Sequence, residues 1–123
     1  MERLTKAEED IMHYIWRLGR CTVADIIAQM AEPKPPHSTV SSFARLLTKK
    51  RFVSYKAYGK TYEYFALISR DDYGRRKLHR FVSDYFDGSP ERLVSFLVRD
   101  KEVDMDALQR LLDELPDTSN LER

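Results

Sequence analysis

The chain has 123 residues, of which 42% are hydrophobic and 33% are charged, and its formal net charge is +1. This size suits one domain, or one small domain with an appendage. The single cysteine, Cys21, excludes an intrachain disulfide, and no apolar run approaches the roughly 18 residues of a membrane span. Because Met1 to Thr5 carry no signal-peptide hydrophobic stretch, we expect a cytoplasmic protein that does not insert into a membrane.

Two helices with capping boxes are predicted at the start of the chain. Thr5 and Glu8 have the spacing at which a hydroxyl and a carboxylate satisfy each other's backbone amides. Apolar residues then recur at helical spacing until Gly19 ends the first helix. Thr22 repeats the capping pattern for a second helix, so Cys21 is predicted to lie in the turn between the two.

A third helix is predicted after a proline-rich segment. Because Pro33, Pro35 and Pro36 exclude helix across their own stretch, the third helix is predicted to start at His37 or Ser38. Its buried stripe follows the spacing i, i+3, i+4, i+7 and consists of Val40, Phe43, Ala44 and Leu47. The residues predicted to face outward are short polar side chains and one arginine, namely Thr39, Ser41, Ser42 and Arg45.

The period of the pattern changes between residues 52 and 67. Side chains alternate in character from Val53 to Tyr58, and Gly59 supplies a turn before β-branched and aromatic residues return. This pattern predicts a two-stranded hairpin with Lys56 and Lys60 near its tip.

Three further helices are predicted in the second part of the chain, where the charge reverses. Residues 1–67 hold 11 basic and 7 acidic groups, whereas residues 68–123 hold 10 and 13. The helices are predicted to begin at Ser69, at Ser89-Pro90 and at Asp104, and Pro116 ends the last. Such short helices with so much apolar surface need a partner, for which a second copy of the chain is the simplest candidate. The predicted dimer contacts are Phe81, Tyr85, Leu93, Phe96, Leu97, Leu108, Leu111 and Leu112.

The fold class that follows is mainly α with a small β-hairpin. Three helices followed by a hairpin, with the third helix polar on its outer side, is the order of a winged helix-turn-helix. We predict a winged-helix DNA-binding domain over residues 1–68, a helical dimerisation region over residues 69–116 and a flexible tail over residues 117–123.

Positive charge is concentrated in residues 33–62, which we call the basic window. It contains seven Lys or Arg and no Asp or Glu, whereas the other 93 residues hold 14 basic and 20 acidic groups. A local positive field on a helix and a hairpin is typical of a surface that binds a polyanion. The sequence therefore indicates binding to double-stranded DNA.

Each candidate residue has a predicted role at the duplex. Thr39, Ser41 and Ser42 carry short groups that suit base edges, and Arg45 can make a bidentate contact to guanine. Lys49, Lys50 and Arg51 are predicted to bind phosphates, which position a protein without reading sequence. Lys56, Tyr58 and Lys60 belong to the wing and are predicted to reach adjacent backbone or minor groove.

Other interpretations stay open at this point. The basic window could be only a solvated face, and winged helices also serve as protein-interaction adaptors without specific DNA binding. An enzyme is not indicated, because His13, His37 and His79 are scattered over separate elements and no set of metal-ligating residues has metal spacing. We expect no catalytic residues, no metal and no cofactor.

The chain resembles the penicillinase-repressor family of bacterial regulators, the BlaI/MecI type, over about residues 3–115. The resemblance lies in the order and spacing of several stretches, namely residues 4–9, 15–16, 39–47, 49–53, 62–67, 86–89 and 93–96. It implies a homodimeric transcriptional repressor. The N-terminal winged helix would bind an inverted-repeat operator, and the C-terminal helices would interlock to form the dimer.

The resemblance also implies a mode of induction. In the best-known members a membrane sensor with a cytoplasmic zinc-protease domain cuts an Asn-Phe bond in the second dimerisation helix, which frees the promoter. The matching bond here is Ser95-Phe96, so the Asn is absent from this possible cleavage site. Arg51 stands where family members usually have glycine, which costs on the order of 1 kcal/mol if its φ is positive.

Overall fold

The computed structural model describes residues 3–99. Within them the chain divides into two compact units after Arg70. The elements in order are α1 (Lys6–Leu18), β1 (Arg20–Cys21), α2 (Val23–Ala28), α3 (His37–Lys49), β2 (Val53–Tyr58), β3 (Thr61–Ala66), α4 (Arg70–Tyr85) and α5 (Pro90–Arg99). The predicted helix from Asp104 to Leu115 and the predicted tail lie outside the described residues.

The first two helices begin at the predicted capping boxes. The Thr5 hydroxyl accepts from the Glu8 amide at 3.2 Å, and the Glu8 carboxylate accepts from the Thr5 amide at 2.9 Å. Thr22 and Asp25 form the same pair of bonds at 3.1 and 2.9 Å. Each box satisfies two amides that a helix N-terminus leaves without an intrahelical partner, which fixes where α1 and α2 begin.

The third helix begins at His37, directly after Pro36, as the proline pattern predicted. It ends in a Schellman motif, in which the Phe52 amide donates to Leu47 O and the Arg51 amide donates to Thr48 O, each at 3.0 Å. Phe52 and Leu47 are both fully buried, as is typical of the apolar pair that accompanies this motif. Arg51 has a positive φ of +66°. At this angle a non-glycine residue is strained, so the absence of the family's usual glycine is expected to cost stability.

Replacing Arg51 with Gly is expected to stabilise the protein by about 1 kcal/mol, because glycine adopts positive φ without steric cost. Urea denaturation measures the change in the free energy of unfolding. Arg51→Ala is the matched control, since it removes the same charge and keeps the strain. Equal stability of the Gly and Ala variants would show that the backbone of Arg51 is unstrained.

The sheet contains one strand more than the predicted hairpin. Its order is β1-β3-β2, and both pairings are antiparallel. β1 places Arg20 opposite Phe65 and Cys21 opposite Tyr64. The prediction that Cys21 lies in a turn between two helices was therefore wrong. A strand of two residues is too short to show the alternation by which strands are found in a sequence.

The core of the first unit joins the three helices to the sheet. α3 contributes Val40, Ala44 and Leu47, each at most 1% exposed, which confirms most of the predicted stripe, while Phe43 is half-buried. The buried residues from the other elements include Ile11, Met12, Ile15, Ile26, Phe52, Val53 and Tyr64. This core fixes the orientation of α3, so its opposite side faces outward. The first unit is a winged helix, with the β2–β3 hairpin as its wing.

The second unit contains most of α4, together with α5. Contacts between aromatic rings connect these two helices. The ring of Phe86 lies 5.7 Å from that of Phe81 and 5.7 Å from that of Phe96. α5 begins at Pro90, where Ser89 accepts from the Arg92 amide at 3.2 Å, as the Ser-Pro pattern predicted. Among residues 71–99 few side chains are buried: α5 contains none, and Val82 is the buried residue of α4.

Candidate nucleic-acid interface

The outer face of α3 is formed by Thr39, Ser42, Arg45, Leu46 and Lys49, all of which are exposed. They lie opposite the buried stripe, and the predicted base-reading residue Ser41 borders them half-buried. The Ser42 hydroxyl donates to Ser38 O at 2.9 Å, so its oxygen lone pairs are still available to an external donor. The outer face therefore presents hydroxyl, guanidinium, ammonium and aliphatic groups together.

Two lysines of the basic window are occupied within the protein. Lys34 Nζ donates to Ile27 O and Met30 O at 2.9 Å each and to Ala28 O at 3.4 Å. These carbonyls lie at the end of α2, where a cation favours the helix dipole. Lys34 is thus a C-terminal cap of α2. Its ammonium group is held at the end of that helix, so it adds to the positive field of the basic window from there.

Lys50 is held by a buried carboxylate from α1. Its Nζ lies 2.9 Å from each carboxylate oxygen of Glu8. It donates a hydrogen bond to Oε1, whereas the contact with Oε2 is an ion pair without hydrogen-bond geometry. A third contact runs to Arg3 O at 3.3 Å. Lys50 was predicted to bind phosphate, but this ion pair competes with such a contact. Its position ties the end of α3 to the start of α1.

The environment of Glu8 favours its charged form. Burial alone raises the pKa of this carboxyl, but the hydrogen bond from Lys50 and those from Thr5 outweigh it and hold the pKa below its ordinary value of 4.5. Glu8 is only 2% exposed. A buried carboxylate of this kind is stable only while its cation is present.

The other predicted phosphate ligands are exposed and lack ion pairs within the described residues. Lys49 extends from the last turn of α3. Arg51 lies two residues further on, at the position of positive φ that ends the helix. Lys60 lies in the two-residue turn of the wing beside Gly59, whose φ is +63°. Because Lys49, Arg51 and Lys60 have no acidic partner there, their charge is available to an anion.

Lys56 and Tyr58 lie together on one side of the wing. The Lys56 ammonium sits 5.4 Å from the centre of the Tyr58 ring, and Tyr58 is 53% exposed. Lys56 is opposite Glu63 in the strand register, and Glu63 contacts Arg20 at 3.8 Å. Glu63 therefore weakens the positive field on this side of the wing.

The opposite side of the wing holds a tyrosine pair that sequence reasoning missed. The rings of Tyr55 and Tyr62 stack with centres 4.2 Å apart, and each residue is 41% exposed. Both contact Tyr64, which is buried. Burial raises the pKa of Tyr64, and the positive charge of Arg45 opposes that rise. Only the strand register reveals the pair, because Tyr55 and Tyr62 are diagonal neighbours.

Cys21 is chemically protected. It is 1% exposed, and burial, with smaller effects from Asp25 and Glu63, raises its pKa to about 11. Because the thiolate is the reactive form, the raised pKa leaves very little reactive Cys21 at neutral pH.

We expect Cys21 to react with a disulfide reagent such as DTNB at least 100-fold more slowly in the folded protein than in 6 M guanidinium chloride. The absorbance of the released thiolate measures the rate. Equal rates in the two conditions would show that the thiol is accessible and reactive in the folded protein.

The predicted dimer contacts of the second unit are largely uncovered. Phe81, Tyr85 and Phe96 are 45%, 73% and 47% exposed, and Leu93 and Leu97 are half-buried. Leu108, Leu111 and Leu112 lie outside the described residues. The possible cleavage residues Ser95 and Phe96 are both exposed on α5.

Residues 3–99 contain neither a metal-binding cluster nor a membrane-spanning helix. No group of three His, Cys, Asp or Glu side chains in this part of the chain is placed to hold a metal ion. None of the described helices has the length and apolar character needed to cross a membrane.

Comparison with known proteins gives the family. The model of the family described as "Penicillinase repressor" matches residues 4–116. No curated protein matches the chain. Among solved structures, that of the CopR repressor is 30% identical over 55% of this chain and 100% of its own, with a TM-score of 0.45. A structure of Bordetella bronchiseptica BpsR, solved for the regulation of its DNA binding by 6-hydroxynicotinic acid, is 16% identical over 82% of this chain and 76% of its own, with a TM-score of 0.48. The match over residues 4–116 shows that the chain belongs to the penicillinase repressor family, a family of DNA-binding transcriptional regulators rather than of enzymes.

Proposed function

We propose that the protein is a homodimeric transcriptional repressor that binds an inverted-repeat operator in the cytoplasm. The observation that carries the proposal is the outer face of α3, on which hydroxyl groups, Arg45 and Lys49 are exposed within a window that contains no acidic residue. The major groove accepts one α-helix and is lined by base-edge donors and acceptors. The outer face of α3 is complementary to it in polarity and in charge.

The residues of the window divide by role in this proposal. Thr39, Ser41, Ser42 and Arg45 contact base edges, and Arg45 makes the bidentate contact to guanine. Lys49 and Arg51 bind phosphates beside the groove, and Lys56, Tyr58 and Lys60 contact the backbone beside the wing. Lys50 acts through Glu8 instead, by holding the end of α3 on the core.

Dimerisation is assigned to the second unit. Exposed rings at Phe81, Tyr85 and Phe96 lie on helices that have hardly any buried residues of their own. A second copy that covers these rings buries them from water and stabilises both chains. Two winged helices would then contact half-sites about one helical turn apart, and the operator symmetry would follow the dimer symmetry.

We also propose that proteolysis within α5 releases the repressor from its operator. A protease that cut the Ser95-Phe96 bond would break α5 and remove the aromatic contact between Phe96 and Phe86. The partner in this case is a membrane sensor metalloprotease that accepts Ser where the relatives carry Asn. Incubation of the purified dimer with such a protease, followed by mass spectrometry, shows whether this bond is cut.

Selection from a random duplex library tests the proposed function. The protein is incubated with duplexes that carry a randomised centre of about 30 base pairs at low salt, and bound molecules are isolated by gel shift and sequenced. We expect enrichment of an inverted repeat with guanine in each half. Absence of any retained duplex would contradict the proposal and would favour the adaptor that binds an acidic protein. Sedimentation of the same sample at micromolar concentration tests the dimer, for which a monomeric mass is the contrary result.

A further inference from the structure

Leu46 is a large apolar side chain in the middle of a polar surface. It is 44% exposed, although it lies on a helix whose opposite side is fully buried. It follows Arg45 directly, is one helical turn from Ser42 and Lys49, and shares the outer face with Thr39. Sequence reasoning assigned it neither to the buried stripe nor to the polar residues.

The neighbours of Leu46 argue against a protein-binding groove at this place. A helix-binding or peptide-binding surface needs several apolar anchors at helical spacing. The side chains one turn away are Ser42 and Lys49 on the outer face, and Phe43 and Lys50 beside it. Phe43 is half-buried as part of the stripe, so Leu46 is the one exposed apolar side chain of the outer face. A single exposed aliphatic group beside hydroxyls and cations suits a partner that is itself mostly polar and anionic, with one small apolar group.

Duplex DNA has such a group in its major groove. The C5-methyl of thymine is the apolar feature among the base-edge donors and acceptors, and aliphatic side chains contact it. We propose that Leu46 is a specificity-determining residue that contacts a thymine methyl group in the half-site whose guanine Arg45 binds. This inference rests on the proposed function, because it requires α3 to lie in the major groove.

The test uses the operator obtained by selection and a set of copies in which one thymine at a time is replaced by deoxyuridine. This exchange removes only the methyl group. Fluorescence anisotropy measures the affinity of the full chain for each copy. We expect one thymine in each half-site at which deoxyuridine weakens binding about fourfold, the effect of burying one methyl-sized group.

Variants of Leu46 connect that methyl group to the side chain. Leu46→Ala and the near-isosteric Leu46→Asn should bind the thymine and deoxyuridine operators equally. Leu46→Met keeps the apolar contact and should retain the loss of about fourfold. Leu67→Ala is the control, since Leu67 is 55% exposed in the same unit but lies after the wing. It should respond to deoxyuridine as the wild type does.

Two results would overturn the inference and leave the proposed function intact. One is a selected operator whose affinity is unchanged by deoxyuridine at every position. The other is a deoxyuridine effect of the same size in Leu46→Ala and Leu46→Asn, because the methyl group would then be read by another residue. If the wild-type protein retained no duplex in the selection, the proposed function and this inference would fail together.

Discussion

Replacing Arg45 with Ala is expected to weaken binding to the selected operator by about 5- to 150-fold, which corresponds to roughly 1 to 3 kcal/mol for a bidentate contact to guanine. Arg45 is exposed on the outer face of α3 and has no ion pair within the described residues. The loss should be largest for the operator and small for unrelated duplexes. Base preference at one position of each half-site should therefore relax.

Two further variants show whether the Arg45 effect is geometric. Arg45→Lys keeps the charge but cannot form two parallel hydrogen bonds, so it should lose most of the discrimination at the same position. Arg17→Ala removes an exposed arginine of α1, outside the basic window, and should leave operator affinity within about twofold. Titration of each variant against the operator and a duplex with its guanine exchanged gives both values. Equal losses on both duplexes for Arg45→Ala would assign this residue to phosphate.

Replacing Lys50 with Ala is expected to lower the free energy of unfolding by about 2 to 3 kcal/mol, because it leaves the buried Glu8 carboxylate without its cation. The value is at the low end for a buried pair, since the Lys50 side chain keeps 22% of its exposure whereas that of Glu8 keeps 3%. Stabilities of domains are only about 5 to 15 kcal/mol, so the loss is a large part of the total. Urea denaturation at pH 7 measures it.

The neighbouring lysine is the matched control for this prediction. Lys49→Ala should leave the free energy of unfolding unchanged within about 0.5 kcal/mol, because Lys49 is exposed and unpaired within the described residues. It should instead weaken binding to all duplexes alike and reduce the slope of log affinity against log salt by about one unit. If Lys50→Ala changed the salt slope and left stability unchanged, Lys50 would be a phosphate ligand as the sequence predicted.

The Glu8–Lys50 pair also predicts a dependence of stability on pH. The pKa of Glu8 is lower in the folded protein than its ordinary value of 4.5. The contribution of the pair is therefore fully present above the unfolded-state pKa and is lost as pH falls through the folded-state pKa. The difference in unfolding free energy between wild type and Lys50→Ala should be constant from about pH 6 to 8 and shrink below about pH 4.5. A constant difference down to pH 3 would place its origin outside this pair.

Features with a short sequence range could be predicted, whereas contacts between distant residues could not. Thr5 and Glu8 are three residues apart, and their capping box is visible as a spacing. The Glu8–Lys50 pair joins residues 42 apart, so no local pattern indicates that Lys50 is occupied while Lys49 is available. A pattern of charge counts both lysines equally. Only the packing of α1 against the end of α3 shows which of the two lysines is paired with an acid.

The candidate interface shows the same division. The buried stripe of α3 correctly indicated which side faces outward, because the period of a helix fixes both sides at once. It left Leu46 unassigned, since an apolar residue outside the stripe has no predicted partner. The Tyr55–Tyr62 stack was also missed. The stack depends on a strand register that the turn at Gly59 and Lys60 sets. Strand β1 was missed as well, because two residues are too few to show the alternation of a strand.

A map of the duplex-contacting residues by nuclear magnetic resonance would show whether α3 is the helix that enters the major groove. Backbone amide shifts of the ¹⁵N-labelled protein are recorded before and after addition of the selected operator. We expect the largest changes on α3, on Arg51 and on the turn of the wing, and little change at the exposed residues of α1 from Lys6 to Arg17. Large changes confined to α4 and α5, or none in α3, would contradict the proposed function.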